Sequence, residues 1–452
     1  MKKSESVNKP KKKKQLLPMQ IIVLGFLIII LTGTALLMLP WSSAQRDLTD
    51  PLTALFTATS ATCVTGLSVV TTASYWSVFG KVVILLMIQT GGLGFLSMTV
   101  LISALFKKRM SPRENMLVAQ SISLADNGDT FGFMKRILGM TFGIEAIGAL
   151  VLMTRFVPKF GAYGIYMSVF HSVSAFCNAG FDLIGENSLV DMYNEPVVLF
   201  THALLILTGG VGFMVWESIR EWIFKKKHLS VYAKFVLTVS AILLTLGFAV
   251  TAVFEWNNVT MEHMNAGEKL LASFFHSVSL RTAGFAAFDN GMTTDPTHFV
   301  SIVLMFIGGA TGSTAGGVKV TTFGIVIYST FLIAMGNSDI VLFKRKISNQ
   351  TILKAVALIV IAILFTFGSA IALTAIDGIA IDKTLYETVS AYATVGNSTG
   401  ITAALSIPSK LIIVALMYMG RVGILSITYS LMIRQSQKKA GINYSEAPMP
   451  IG

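Results

Sequence analysis

Long apolar stretches alternate with shorter polar gaps along almost the whole chain. A stretch of about 20 apolar residues is long enough to cross the roughly 30 Å hydrocarbon core of a bilayer as a helix. The pattern predicts eight such spans and leaves no segment over for a soluble domain. They lie at residues 19–39, 82–105, 136–156, 197–219, 232–254, 299–333, 351–374 and 409–433.

Every second gap contains a further apolar stretch that is too short to span a bilayer and is typical of a re-entrant segment. These stretches share an aromatic residue, a serine four positions later and then a glycine. We number them motif 1 to motif 4; the third is one residue shorter between the serine and the glycine. They read ALFTATSATCVTGLS (54–68), SVFHSVSAFCNAGFD (168–182), SFFHSVSLRTAGFAA (273–287) and TLYETVSAYATVGNS (384–398).

The motif glycines recur at intervals of about 110 residues, which indicates four repeated units. Each unit contains a span, a short helix, a glycine loop and a second span with a Gly-rich patch. We therefore predict an all-α integral membrane protein with eight transmembrane helices, arranged as four repeats of membrane helix, pore helix, filter loop and membrane helix around one central pore. The predicted divisions are a basic tail 1–18, pore repeats 19–109, 110–228, 229–346 and 347–435, and a C-terminal tail 436–452.

Composition supports a bilayer location, since 53% of the residues are hydrophobic and 13% are charged, against roughly 25% charged in soluble domains. The net charge of +12 does not indicate nucleic-acid binding, because the basic clusters fall in alternate gaps. Basic loops face the cytoplasm, so both termini are predicted to be cytoplasmic. The clusters are Lys2 to Lys14, Lys107 to Arg109 with Arg113, Lys225 to Lys227, Lys344 to Lys346, and Lys438 with Lys439.

The glycine loops are candidates for an ion filter. Non-helical backbone persists at membrane depth only where protein buries it or where it lines a watery cavity. Four converging loops would form a ring of carbonyls that replaces the hydration shell of a monovalent cation, with glycine supplying the positive φ. The alternative is four interfacial helices that end in ordinary glycine caps. The predicted filter residues are Val64, Thr65, Gly66, Asn178, Ala179, Gly180, Thr282, Ala283, Gly284, Thr394, Val395 and Gly396.

Two features of the second spans are candidates for a gate. The sixth span contains five glycines within ten residues, which favours either a broken helix forming a movable plug or a small-residue helix interface. Arg421 lies inside the eighth span, where a charge is costly; it either repels cations or pairs with Glu145 or a helix C-terminus. The predicted gate residues are Gly308, Gly309, Ala310, Thr311, Gly312, Ser313, Thr314, Ala315, Gly316, Gly317 and Arg421.

Four further residues in or near the short helices are given structural interpretations. Cys63 and Cys177 are expected to contribute main-chain atoms, with their side chains facing away from the ion and without forming a disulfide. His171 and His276 occupy equivalent positions and are expected to pack or hydrogen-bond rather than to bind a metal, because no further ligands lie near them in the sequence.

The sequences TATSATCVTGL, FCNAGF, RTAGF and ATVGN, with the Gly-rich break and Arg421, resemble the Trk/Ktr/HKT superfamily of potassium transporters, and most of all the membrane subunit of the bacterial Ktr system. The resemblance covers roughly residues 20–435. It implies a K⁺-conducting homodimer in the bacterial plasma membrane, in contact with lipid, with one pore per protomer. It also implies a cytoplasmic ring of regulatory nucleotide-binding subunits, with nucleotide only on that partner and no covalently bound cofactor. Cys63, Cys177 and Leu280 depart from the family pattern.

We therefore expect K⁺ uptake driven by the ion gradient and the membrane potential, and no enzyme activity, because no catalytic constellation is present. A symporter with an occluded midplane site is the first alternative, although units that all run in one direction favour a pore. A membrane scaffold or enzyme is the second, and it would require an interaction domain or a reactive cluster. A single glycine per filter strand predicts modest K⁺ over Na⁺ discrimination, and Na⁺ dependence stays open.

Overall fold

The computed structural model describes residues 18–94, 130–185, 188–337 and 339–423. Within these ranges the chain is helical apart from loops and one short hairpin of two-residue strands. The predicted tails, up to residue 17 and from 436 to 452, lie outside the described residues. The same holds for the basic clusters at 107–113 and 438–439.

The elements are numbered here in chain order. The helices are α1 (Pro18–Leu37), α2 (Pro51–Cys63), α3 (Thr72–Tyr75), α4 (Val78–Leu93), α5 (Thr130–Phe160), α6 (Ala162–Phe176), α7 (Pro196–Gly210), α8 (Phe213–Lys225), α9 (Val231–Phe254), α10 (Ala266–Ser279), α11 (Asp295–Phe306), α12 (Val320–Ala334), α13 (Asn349–Asp377), α14 (Ile381–Ala393) and α15 (Ile407–Val422). The hairpin pairs β1 (Val341–Leu342) with β2 (Arg345–Lys346). Short 3₁₀ turns cover Pro40–Ser42, Val190–Met192, Val259–Met261, Asn290–Met292 and Thr402–Ala404.

Among the described residues, four helices are long and apolar enough to cross a bilayer, namely α1, α5, α9 and α13; there are five if the bent pair α7 and α8 is one span. These helices expose large apolar side chains, such as Ile28, Leu150 and Leu364, each more than 60% exposed. Exposed apolar bands of this kind suit contact with lipid. The all-α membrane class agrees with the structure, whereas the count of eight spans stays a prediction.

The second spans predicted at 82–105, 197–219 and 409–433 are interrupted at one equivalent point, and residues 95–105 and 424–433 lie outside the described residues. The helices end before Gly94, Gly212 and Gly423, whose φ angles of +83°, +95° and +87° are incompatible with a right-handed helix. At Gly212 the chain turns through 96° between α7 and α8. The Gly-rich patch therefore ends each of these helices rather than serving only as a packing surface.

The four motifs form the buried short helices α2, α6, α10 and α14. Local signals start two of them: Asp50 accepts the Thr53 amide ahead of α2, and Asn265 forms a reciprocal capping box with Glu268 ahead of α10. The helix that follows each motif packs on the short helix of the next motif. These contacts are α4 with α6, α7 with α10, α11 with α14, and α15 with α2, so the packing closes into a circle.

Candidate functional site

In each motif the short helix is followed by a left-handed residue that stands two positions before the glycine. The amide of the residue in between donates to the main-chain oxygen of the motif serine over 2.8 or 2.9 Å. A left-handed conformation costs roughly 1–2 kcal/mol for an L side chain, so its repetition at four equivalent positions indicates a turn that the surroundings impose. The left-handed residues are Val64, Asn178, Thr282 and Thr394.

The four motif glycines lie around one centre and contact one another in cyclic order. Each has a positive φ, and each faces the main-chain oxygen of the residue that precedes the next glycine. A Cβ placed on the glycine would lie against that oxygen, so only glycine permits the close approach. The pairs are Gly66 with Ala179 (2.7 Å from the Cβ position to the oxygen), Gly180 with Ala283 (2.9 Å), Gly284 with Val395 (2.5 Å) and Gly396 with Thr65.

All the predicted filter residues lie in the four strands of this ring. The ring brings main-chain oxygens around a common axis, and the C-terminal ends of α2, α6, α10 and α14 lead into it. Such an arrangement can coordinate a dehydrated monovalent cation, because carbonyl dipoles and the negative ends of helix dipoles both favour positive charge.

The motif serines support the ring in two different ways. Ser60 and Ser390 accept the amide of their motif glycine at Oγ over 3.1 Å. Ser174 instead donates its hydroxyl over 2.6 Å to the oxygen of Phe181, the residue after the glycine. Ser279 donates to the equivalent oxygen of Phe285. The serine at the same position of each repeat thus binds the amide of the motif glycine in motifs 1 and 4, and the main-chain oxygen of the residue after the glycine in motifs 2 and 3.

On one side of the ring a cavity of about 670 Å³ is lined by residues that follow all four glycines. The charged side chains in its described lining are the carboxylates of Asp182 and Asp289. Burial raises the pKa of the Asp182 carboxyl to about 6, although hydrogen bonds from the Ile184 and Gly185 amides act in the opposite direction. A mouth lined by carboxylates concentrates cations.

The Gly-rich segment of the predicted sixth span is a loop, because α11 ends at Phe306 and α12 begins at Val320. We call residues 307–319 the break loop. Its two ends lie side by side, since the Gly308 amide donates to the Val318 oxygen over 2.8 Å. The interpretation as a small-residue helix interface is therefore wrong, and the helix is broken as the other interpretation predicted, whereas a movable plug stays a prediction.

The break loop packs against the C-terminal ends of two short helices. The Thr314 hydroxyl donates to the Phe176 oxygen of α6 over 3.2 Å. Gly316 lies directly against the side chain of Thr394, so the loop reaches the start of the motif 4 filter strand. The loop also contacts the bend after α7, where the Ala310 amide donates to the Gly210 oxygen over 3.0 Å.

Three cationic side chains donate to main-chain oxygens of the break loop; Arg281 is buried, and Lys319 and Arg421 are half-buried. Arg281 donates to Ile307 and Gly308 over 3.0 and 2.8 Å. Lys319 donates to Ala315 over 2.6 Å. Arg421 donates to Thr314. These groups satisfy carbonyls that the break leaves without helical partners.

Arg421 joins the break loop to the end of α4, because it also donates to the oxygens of Gly91 and Gly92, the latter over 2.8 Å. Glu145 instead accepts from Gln89 Nε2 at 3.1 and 3.2 Å. The predicted alternative of an Arg421–Glu145 pair is therefore wrong, and the alternative of a helix C-terminus matches the contacts. Repulsion of cations by the Arg421 charge stays a prediction, because it does not depend on which of these partners Arg421 binds.

The remaining candidates take structural positions. Cys63 and Cys177 are buried free thiols, and the Cys177 sulfur faces Gln89 Oε1 at 3.8 Å, as expected for a side chain directed away from the ring. His171 accepts the Leu183 amide at Nε2 over 3.1 Å, so its proton resides on Nδ1, which lies 3.1 Å from Nε2 of His202. Among the described residues, no group of three or more His, Cys, Asp or Glu could hold a metal ion.

Sequence reasoning missed Arg281. It is the only Lys or Arg within the four motifs, and a charge beside a segment predicted to lie at membrane depth is itself a signal of function. Its partners could not be predicted, because they belong to a loop whose path the sequence does not reveal.

Comparisons with known proteins agree with the resemblance. The family model for TrkH, a cation transport protein, matches residues 9–440. The chain is 36% identical to the potassium/sodium uptake protein NtpJ of Enterococcus hirae, over 99% of this chain and 100% of that protein. It is 38% identical to the Ktr system potassium uptake protein B of Bacillus subtilis, over 91% of this chain and 92% of that protein.

A crystal structure of the potassium transporter TrkH from Vibrio parahaemolyticus has a similar fold. The TM-score is 0.72, and the match covers 94% of this chain and 87% of that one. The sequence identity is 17%, so this similarity shows the fold and does not extend to individual residues.

Proposed function

Since the chain belongs to the TrkH family of cation transport proteins, we propose that it takes up K⁺ across the bacterial plasma membrane through the ring of motif glycines. Family membership makes it a cation transporter and not an enzyme. Both termini are proposed to be cytoplasmic, and each of the four repeats is proposed to contribute one filter strand.

The closed ring is the observation that carries the proposal. Four glycines, each against the main-chain oxygen of the next strand, surround one axis. A K⁺ ion on this axis would exchange its water ligands for the oxygens of Thr65, Ala179, Ala283 and Val395 and their neighbours. The cavity with Asp182 and Asp289 would supply the ion from outside.

We propose that the break loop and Arg421 form the gate below the ring. The loop contacts Thr394, the first residue of the motif 4 filter strand. The positive charge of Arg421 opposes a cation that leaves the filter on this side. Movement of the loop would break its hydrogen bonds to Arg421 and to Phe176 and open the path.

The proposed assembly is a homodimer in lipid that binds a cytoplasmic ring of nucleotide-binding subunits. The similarity to a component of a Ktr system supports such a partner, and nucleotide would bind only there. The similarity to a potassium/sodium uptake protein supports Na⁺ as a second ion that this chain transports or responds to. Co-purification with a soluble ring-forming protein tests the assembly, whereas full nucleotide-responsive activity of the chain alone in liposomes would contradict it.

Growth in limiting K⁺ tests the transport proposal. The chain should restore growth of a bacterium that lacks its own K⁺-uptake systems, and the purified protein should conduct K⁺ in liposomes. Growth that is not restored, together with no K⁺ flux from correctly inserted protein, would refute it. Competition by Na⁺ during the same flux measurement tests the modest discrimination, and complete exclusion of Na⁺ at high concentration would contradict that part.

Arg421→Gln tests the barrier. Removal of roughly 1.4 kcal/mol of repulsion corresponds to about a tenfold rise in K⁺ flux. Arg421→Lys keeps the charge and should give a smaller rise, although it loses the paired hydrogen bonds. Flux per molecule that is unchanged while less protein accumulates would favour a purely structural role.

A further inference from the structure

Arg281 connects two parts of the proposed pathway through one side chain. It lies between the end of α10 and the left-handed Thr282 in the motif 3 filter strand, and it is 6% exposed. Its two terminal nitrogens donate to the oxygens of Ile307 and Gly308, the first residues after α11 ends. The side chain therefore bridges the filter strand and the start of the break loop.

The main chain of Arg281 is fixed from the other direction. Its main-chain oxygen accepts a hydrogen bond from Nδ2 of Asn178 over 3.2 Å. Asn178 is the left-handed residue of the motif 2 filter strand. Two neighbouring strands of the ring and the break loop thus meet at this one residue. A displacement of Ile307 and Gly308 cannot leave the ring unaffected unless both guanidinium hydrogen bonds break.

The residue type suits this junction. The oxygens of Ile307 and Gly308 lie where α11 breaks, and a buried carbonyl needs a donor. The planar guanidinium fork can serve two adjacent oxygens at once, whereas an ammonium serves them as a compact point charge. The corresponding positions, three before the glycine, carry the small residues Cys63, Cys177 and Ala393.

We propose that Arg281 is a positioning residue that couples the motif 3 filter strand to the break loop, so that the position of the loop sets the K⁺ over Na⁺ preference of the filter. This inference rests on the proposed function of the ring and the loop. It extends that function, because the gate then alters which ion passes as well as whether an ion passes. The close packing of the ring supports this inference. A Cβ on Gly284 would lie 2.5 Å from the Val395 oxygen, so a small shift of the motif 3 strand changes its contact with the motif 4 strand.

The test compares Arg281→Gln, Arg281→Lys and the unsubstituted chain, each purified and placed in liposomes. K⁺ and Na⁺ fluxes are measured separately and expressed per inserted molecule. Arg281→Gln should lower the K⁺ over Na⁺ flux ratio at least about fivefold, the lower end of typical coupling between sites. Arg281→Lys should lower it less, because it retains the charge and a donor. Arg155→Gln, which removes an exposed arginine of α5, is the control and should leave the ratio unchanged.

A merely structural role gives a different result, because partial misfolding would lower both fluxes and leave their ratio intact. An unchanged ratio in Arg281→Gln would therefore overturn the coupling. If that variant does not accumulate, Arg281→Lys decides, and an unchanged ratio there has the same meaning. Failure of the proposed function is separately recognisable, since the unsubstituted chain would then conduct no K⁺ at all.

Discussion

Motifs 1, 2 and 4 are joined to their following helices differently from motif 3. In motifs 1, 2 and 4, a glycine of the following helix lies directly against the main-chain oxygen of the residue four positions before the ring glycine. In motif 3 the following helix breaks, and the Arg281 side chain spans the junction. The close pairs are Gly91 with Thr62, Gly209 with Phe176, and Gly420 with Tyr392.

The difference separates a fixed junction from an adjustable one. Backbone packed on backbone cannot yield without moving whole helices, because interiors are closely packed. A guanidinium held by two hydrogen bonds can release them and leave both helices in place. One repeated motif therefore forms three junctions of backbone on backbone and, in motif 3, one junction that a side chain makes to the start of the break loop.

Filling the ring should cause the largest loss, whichever type of junction supports the strand. In Gly396→Ala the Cβ would meet the Thr65 oxygen at a φ of +96°. Strain and overlap of about 3 kcal/mol correspond to roughly a hundredfold loss of K⁺ uptake. Gly378→Ala is the matched control, because Gly378 has a φ of +68° but open space around its Cβ position. Uptake by Gly396→Ala within a few-fold of the unsubstituted rate would remove the ring from the pathway.

Filling a rigid junction should cost less than filling the ring. In Gly91→Ala the Cβ would overlap the main chain of Thr62, and overpacking of this kind costs about 1–3 kcal/mol. We expect about a tenfold drop in flux for K⁺ and Na⁺ alike, together with a lower melting temperature of the purified protein. This equal loss contrasts with the altered ratio expected for Arg281→Gln.

Gly143→Ala controls for the helical location, since a Cβ on Gly143 in α5 meets nothing within 4 Å. It should leave flux and melting temperature unchanged or slightly raise the latter. A changed ion ratio in Gly91→Ala would contradict the distinction between fixed and adjustable junctions.

The motifs could be predicted because their signals are local. The spacing of aromatic, serine and glycine residues located the short helices, and it also located the turns that form the ring. The glycines alone did not distinguish a packed surface from a break, so the end of α4 at Leu93 and the bend at Gly212 were missed. Both depend on a backbone conformation that glycine permits but does not require.

Long-range partners were beyond prediction for a different reason. Arg281 and its acceptor Ile307 are 26 residues apart, and Arg421 and Gly91 are 330 apart. Their contact depends on how the four units close into a circle. The same holds for the serines, whose equivalent positions gave no indication that Ser60 accepts a hydrogen bond while Ser174 donates one.

The smallest expected effect lies in the cavity that contains Asp182 and Asp289, which is lined by residues of all four motifs. Because burial raises the pKa of the Asp182 carboxyl to about 6, the group is neutral below that pH and negative above it. Because the folded chain holds this proton more tightly than the unfolded chain does, the free energy of unfolding also falls as the pH rises through about 6. The negative form attracts K⁺, so the apparent affinity for external K⁺ should fall about twofold as the external pH falls through 6.

Asp182→Asn should remove this step and leave the low-affinity behaviour at every pH. Asp289, the other carboxylate of the described lining, remains in that variant and keeps part of the attraction. Asp295→Asn removes an exposed carboxylate at the start of α11, outside the cavity lining, and should retain the step. A pH profile for Asp182→Asn that matches the unsubstituted chain would assign the titration to another group. A twofold change with no loss of maximal flux would place Asp182 in ion capture and leave the choice of ion to the proposed filter, whose junctions are backbone on backbone in motifs 1, 2 and 4 and made by a side chain in motif 3.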